Sequence, residues 1–289
     1  MPFMTPDLPE SLLIVAGWGC YPRLLAEGAR RAGVRRIAVL GFRGSTETGL
    51  LRVADSVDLM PFGSLESFLR KAQASGCSAV VMGGQIHPLC LFRARFDQLA
   101  RDELKRLPVR NAHTLFGRLS ELLAEAGLRV LPASLFMHGH MPSSGLLTRR
   151  APDERERSDL RFGFETALAV CNLDIGQTLV VKDGVVLAVE AFEGTNAAIK
   201  RGAKLGGNGA VVVKVAKDGH DMRFDIPVMG LKTLAVLHRR RIWTLGIQAG
   251  RVLLLEQSRF VAEADRLGIA IEAVDSGFPH APVFVPPPA

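Results

Sequence analysis

Between Leu173 and Thr233 the chain sets charged and polar side chains into apolar surroundings. Asp174-Ile175-Gly176-Gln177 opens the stretch. Glu190 and Glu193-Gly194-Thr195-Asn196 follow, then Arg201, Lys214, Lys217, His220, Asp221, Arg223 and Asp225. The carboxylates Glu190, Glu193, Asp221 and Asp225, with cations around short loops, suit a divalent ion and phosphates. Magnesium takes one or two protein carboxylates and completes its shell with water and phosphate oxygens. Phosphoryl transfer also needs Lys or Arg to neutralise charge and a residue to orient water. Asp221 and Asp225, four residues apart, can face one site with Arg223 turned elsewhere. The competing reading is a surface salt-bridge network. Thr195 or Asn196 taken alone reads as a helix cap.

A second candidate lies near the start. Gly17-Trp18-Gly19-Cys20-Tyr21-Pro22 joins an apolar run to a helical stretch. Glycines there let backbone N–H groups approach a phosphate at the helix N-terminus. The pattern is GxGxxP, however, and Gly41, Phe42 and Arg43 stand where a dinucleotide site needs an acidic residue. A tight strand-to-helix turn explains it equally well. Gly83-Gly84-Gln85-Ile86-His87-Pro88 would share the same sheet edge, with His87 read as an ordinary loop histidine. His138 and His140 lack a third metal ligand nearby and read as linker residues. Arg239-Arg240-Arg241 reads as an exposed helix end, and Asp153–Arg161 as a solvated helix start.

The elements that must carry these residues change character along the chain. Leu12–Ala16, Arg36–Gly41, Val57–Met60, Ala79–Gly83 and Leu128–Leu131 read as strands, the first apolar on both faces. Helical patterns at Arg23–Ala32, Leu65–Ala74, Leu89–Leu107 and Thr114–Ala126 alternate with them, which predicts a parallel sheet covered on both sides. In the second half, Thr178–Val181 and Val185–Val189 flank Lys182-Asp183-Gly184, a strong hairpin signal. Ile242–Gln248 and Arg251–Leu255 around Ala249-Gly250 predict a second hairpin. Further strands are expected at Ala210–Val215 and Ile269–Val274. Helices are expected at Thr195–Leu205, Leu231–Arg240 and Arg259–Leu267. The class is α/β.

The chain has 289 residues, 48% hydrophobic and 22% charged, which excludes a disordered protein. At roughly 100–200 residues per domain, two domains are expected. We place them at 1–140 and 156–289, with a linker at 141–155. The 36 basic and 29 acidic residues leave a net charge of +7, which favours phosphates, nucleic acid or an acidic membrane surface. No nucleic-acid motif accompanies that charge, so nucleic acid drops out as a partner. No apolar run approaches the roughly 18–20 residues of a membrane span, and the N-terminus lacks a secretory pattern. Cys20, Cys77, Cys90 and Cys171 are scattered, which argues against a disulfide framework or a four-cysteine zinc site. A soluble cytoplasmic protein is expected, and any membrane contact would be peripheral.

The strings DIGQTLVV, AVEAFEGTNAAIKR, VVVKVAKDGHDMRFDIPVMG and QAG, with IVAGWGCYP near the start, resemble the UDP-2,3-diacylglucosamine pyrophosphatases of the LpxI type. The resemblance implies a Rossmann-like N-terminal parallel-sheet domain and a C-terminal mixed α/β domain peculiar to the family. It implies Mg²⁺-dependent hydrolysis, with Mn²⁺ as a second candidate, giving UMP and 2,3-diacylglucosamine 1-phosphate (lipid X) in lipid A synthesis. By the same resemblance, Asp225 is the metal ligand or the organiser of the attacking water. Asp221, Glu190 and Glu193 support it, with Asp221 and Glu193 completing the metal set. Arg201, Lys214, Lys217 and Arg223 hold the diphosphate. Gln177, Thr195, Asn196, Thr233, Gly17 and Gly19 complete the substrate contacts. The partners expected are the nucleotide-sugar lipid, an anionic membrane surface in transient contact, and a second copy of the chain as a homodimer. Asn196 stands where the family has Asp, and His220 and Gln248 replace a family Gln and Glu. A non-catalytic glycolipid- or nucleotide-sugar-binding homologue is therefore the alternative, and an NAD(P)-dependent oxidoreductase, on the glycine loop, the third.

Overall fold

A computed structural model describes residues 8–44, 46–85, 94–109, 112–219, 223 and 226–275. Its described residues divide into two compact units. One runs to His138 and also takes Arg223 and Ile226; the other takes Gly139 to Gly219 and Pro227 to Asp275.

The first unit is built on β1 (Ser11–Ala16), α1 (Tyr21–Ala32), β2 (Arg36–Phe42), β3 (Ser56–Met60), α2 (Leu65–Ala74), β4 (Ala79–Gly83), α3 (Gln98–Arg106), α4 (Ala112–Glu125) and β5 (Arg129–Val130). The sheet has the order β3-β2-β1-β4-β5, and every pairing is parallel. The apolar runs explain this: Leu12 to Ala16 are all buried, and a strand buried on both faces belongs inside a helix-covered parallel sheet. α1 stops at Gly33, whose φ of 104° puts it in the left-handed region where its N–H returns to the carbonyls of Ala29 and Arg30. The helix expected over Leu89–Leu107 begins, among the described residues, only at Gln98. Asp97 stops it there by accepting from the N–H of Ala100 while its other oxygen accepts from Glu66 N.

The second unit contains β6 (Gly145–Leu146), α5 (Glu154–Asn172), β7 (Thr178–Lys182), β8 (Val185–Val189), α6 (Thr195–Gly206), β9 (Val211–Lys214), β10 (Val228–Met229), α7 (Leu231–Arg239), β11 (Thr244–Gln248), β12 (Leu253–Leu254), α8 (Gln257–Leu267) and β13 (Ala270–Val274). Six strands form a mixed sheet in the order β6-β13-β11-β9-β7-β8. β9, β11 and β13 are parallel, β7 is antiparallel to β8 and β9, and β6 is antiparallel to β13. Side chains alternate between the two faces. Leu179, Val181, Val211 and Val213 pack with Leu160, Phe164 and Ala167 of α5. Val180, Val212, Leu245 and Ile247 pack with Ile199, Leu234 and Phe260 from the other helices. The stretch 141–155, expected as a linker, contributes the edge strand β6, and Thr148 Oγ1 accepts from Ile271 N at 2.8 Å.

The Asp183-Gly184 hairpin forms, with φ of 50° and 73° at the turn. Its two N–H groups donate to Asp159 Oδ2 and Oδ1 at 3.0 and 2.8 Å. The charged run 153–161 is therefore not merely a solvated helix start. Glu156 and Asp159 are buried, Glu156 in a capping box with Asp153 and under Arg150, Asp159 beneath the hairpin. The second expected hairpin does not form. β11 is central, buried on both faces and paired in parallel on both sides, so it has no free edge for a returning strand. The chain leaves at Gly250, and β12 instead pairs in parallel with β10 in a separate two-stranded sheet.

Candidate active site

Strand direction decides which residues share an edge of the second sheet. β8, β9, β11 and β13 run the same way, so their carboxyl ends bring Glu190, Lys214, Gln248 and Asp275 to one side. β7 runs oppositely and starts there, with Gln177 just before it. Ligands of open α/β sheets bind outside the carboxyl ends of the strands. α6 starts at the same edge, five residues after Glu190.

The centre of this edge is a network of four side chains. Lys214 is 3% exposed, and its ammonium donates to Thr195 Oγ1 at 2.9 Å and Thr178 Oγ1 at 3.1 Å. Glu190 Oε2 lies 3.5 Å from the same nitrogen. Thr195 Oγ1 donates to Glu190 Oε1 at 2.8 Å. A buried ammonium is tolerated only when paired and hydrogen-bonded, and this one has three oxygen partners for its three protons. Glu190 sits beside it because of Gly176: a Cβ there would lie 1.8 Å from the Glu190 carbonyl oxygen. Only glycine lets the two backbones approach so closely.

Around this centre the loops are tied down. Lys217 Nζ donates to both oxygens of Asp174 at 2.8 Å, and Asn172 and Asp218 exchange two hydrogen bonds of 3.0 Å. Val215 N donates to Gln177 O. Arg201 reaches Glu193 Oε1 and the carbonyl of Val189, and Glu193 Oε2 accepts from Ala191 N at 3.1 Å. The Arg201 guanidinium beside Glu193 holds its carboxyl below the usual carboxylate range. Gln248 is buried, and its Oε1 accepts from Ala216 N at 2.8 Å. Asn196 carries a buried Oδ1 without a hydrogen-bond partner. Thr178 and the anchoring role of Gln248 escape a reading by charge clusters, because both are uncharged and a threonine opening an apolar strand looks like ordinary strand chemistry.

The expected site residues thus divide. Glu190, Thr195 and Lys214 share one network, with Glu193 and Arg201 on the loop and helix that follow Glu190. Lys217 and Gln177 line the same edge. Thr233 is buried in the first turn of α7, where its N–H returns to Gly230 O at 2.8 Å. Arg223 falls with the first unit. His87, His220, Asp221 and Asp225 lie outside the described residues. Among the described residues, no group of three or more His, Cys, Asp or Glu could hold a metal ion. Glu190 and Glu193 each already face a cation. The described carboxylates do not fit a divalent ion by themselves.

Gly17 and Gly19 belong to the first unit, between β1 and α1. Gly17 N donates to Gly83 O at 2.8 Å, and Trp18 and Gln85 exchange backbone bonds of 2.7 and 3.0 Å. A Cβ on Gly17 would lie 2.7 Å from Gln85 O and 2.8 Å from the Gly84 carbonyl carbon. Gly17 is therefore required for the crossing of two loops where the strand order reverses. Gly19 has a φ of 94° and open space around its Cα.

Comparison with known proteins covers both units. The model of the LpxI N-terminal domain matches residues 11–140, and that of the LpxI C-terminal domain matches residues 143–272. UDP-2,3-diacylglucosamine pyrophosphatase LpxI of Caulobacter vibrioides is 30% identical over 283 residues, spanning 92% of this chain and 98% of that protein. Both halves match in order and across nearly their full length, and so the chain belongs to the LpxI family.

Proposed function

We propose that this chain is a hydrolase that cleaves the diphosphate of UDP-2,3-diacylglucosamine, releasing UMP and 2,3-diacylglucosamine 1-phosphate for lipid A synthesis. The observation that carries the reading is the polar network at the carboxyl edge of the second sheet, within the region matching the LpxI C-terminal domain. A carboxylate at that edge can accept a proton from water, and neighbouring cations can neutralise a diphosphate. We assign Glu190 the proton-accepting role. Arg201, Lys217 and Arg223 are candidates for the diphosphate, each by exchanging a present partner for it. Asp225 and Asp221 are the residues assigned to a Mg²⁺ or Mn²⁺ ion, which would supply charge neutralisation when bound. Glu193 is the weakest of the three metal candidates, since Arg201 already pairs with it. Gln177, Asn196 and Thr233 are kept as substrate contacts. Of these, Asn196 has the strongest support, because its buried carbonyl oxygen still needs a partner.

Among the described residues no helix is long and apolar enough to cross a membrane, so a diacyl substrate implies a transient visit to an anionic membrane surface. The test is UMP release from UDP-2,3-diacylglucosamine with Mg²⁺, against EDTA and against UDP-sugars without acyl chains. Release only from the diacyl substrate and only with the metal is the expected result. Stoichiometric glycolipid binding without turnover under any divalent ion would replace this reading with that of a binding protein.

A further inference from the structure

A lysine near a diphosphate site is normally read as a phosphate contact, and the geometry here argues otherwise. Lys214 is sealed at 3% exposure, whereas the Glu190 side chain beside it is 13% exposed and Lys217 on the next loop is 31% exposed. An ammonium has three protons and no acceptor, and those of Lys214 are directed at Thr178, Thr195 and Glu190. Lysine can only donate, so the Thr195 hydroxyl must accept from it. The single proton of that hydroxyl is then committed to Glu190 Oε1. The chain of donors runs one way, from the buried ammonium through the threonine to the carboxylate. Its last member is the more accessible one.

We infer that Lys214 and Thr195 are positioning residues, acting through Glu190 and not on the phosphates. This rests on the hydrolase reading above. In that reaction a water gives its proton to Glu190 as its oxygen bonds phosphorus. The bridging P–O bond breaks, and its electron pair leaves with the departing phosphate. Lys214 and Thr195 hold the Glu190 carboxylate in the orientation that receives the proton, and Thr178 shares the anchoring of the ammonium.

Two measurements on the full chain test the assignment. The first is limited acetylation read by peptide mass spectrometry. Lys214 should react at least about 10-fold more slowly than Lys217, as burial withholds the amine from water and reagent. Equal labelling of the two overturns the inference. The second is steady-state UMP release by Lys214→Met, Thr195→Val and Thr195→Ser. Misplacing a proton acceptor should lower kcat by about 10²-fold with KM within about threefold of wild type. Thr195→Ser, which keeps the hydroxyl, should restore most of the rate lost in Thr195→Val. A tenfold rise in KM at unchanged kcat would identify a phosphate contact and overturn the assignment. If Lys214→Met does not fold, the Thr195 pair carries the kinetic test alone. Absence of release by the wild type overturns the hydrolase reading and the inference together, whereas normal release with a KM effect overturns only the inference.

Discussion

Both units present the carboxyl edge of parallel strands, and they use it differently. In the first unit, the loops after β1 and β4 meet backbone to backbone, with glycine required because there is no room for a Cβ. In the second, the loop after β8, the start of α6 and the end of β9 bring a carboxylate, a threonine and a buried lysine within hydrogen-bonding reach. The same topological rule marks both edges as places where a ligand can bind. Side-chain chemistry separates them. Among the described residues, the first edge is a close backbone crossing at Gly17 and Gly84, and the second is a network of charged and polar side chains. A glycine motif therefore says little until its Cα atoms are placed.

The contrast can be broken in several ways. Asp225→Ala should reduce UMP release by at least about 10³-fold, the scale of removing a group that organises phosphoryl-transfer chemistry. Circular dichroism should be unchanged; full turnover would remove Asp225 from the site. Gly17→Ala forces a Cβ into the backbone of Gly84 and Gln85 and should destabilise the first unit by about 3 kcal/mol. Each unit carries one tryptophan, Trp18 and Trp243, so urea unfolding followed in Trp18→Phe and Trp243→Phe backgrounds reports the units separately. A loss confined to the Trp18 signal is expected. Asp159→Ala uncaps the two turn N–H groups of the β7–β8 hairpin and should cost the second unit about 2 kcal/mol, seen through Trp243. An equal shift in both signals would mean that the units unfold as one.

Acid should act on carboxylates held below their usual range in both units, Glu103 among those of the first and Glu193 among those of the second. The Arg118 guanidinium beside Glu103 holds that carboxyl below the usual range, as Arg201 does for Glu193. A depressed carboxylate adds stability above its unfolded pKa and loses it as pH falls through the lower folded value. Stability should therefore decline below the ordinary glutamate range. Glu103→Gln should flatten that decline in the first unit and Glu193→Gln in the second; an unchanged acid limb in both variants would discard these pairs as its source. The smallest effect is expected from Lys217→Ala, whose partly exposed pair with Asp174 should contribute less than about 1 kcal/mol to unfolding. A several-fold rise in KM in that variant would place Lys217 on the diphosphate.

Much of the fold was legible in the residues. The doubly apolar run Leu12–Ala16 predicted β1, the alternation of strand and helix patterns predicted the parallel sheet of the first unit, and Asp183-Gly184 predicted a hairpin that forms. The Ala249-Gly250 turn misled, because an apolar strand followed by a turn and a second apolar strand carries no record of which neighbours are already paired. β11 has both edges occupied, and that is settled by strands far away in the chain. The charged run 153–161 misled similarly. Its period showed a helix, and only the hairpin lying over it made Asp159 a buried acceptor.

The sequence alone determined the α/β class, two units, the glycine turns and the region where carboxylates and cations concentrate, because those follow from local patterning and composition. The tertiary structure decided which of them meet. Glu190, Thr195 and Lys214 are 24 residues apart at the extremes and touch because β7 reverses between β8 and β9. There Lys214, an expected phosphate contact, is 3% exposed, with Thr178, Thr195 and Glu190 as its partners. Burial is set by what packs over a side chain, and no residue carries that information by itself.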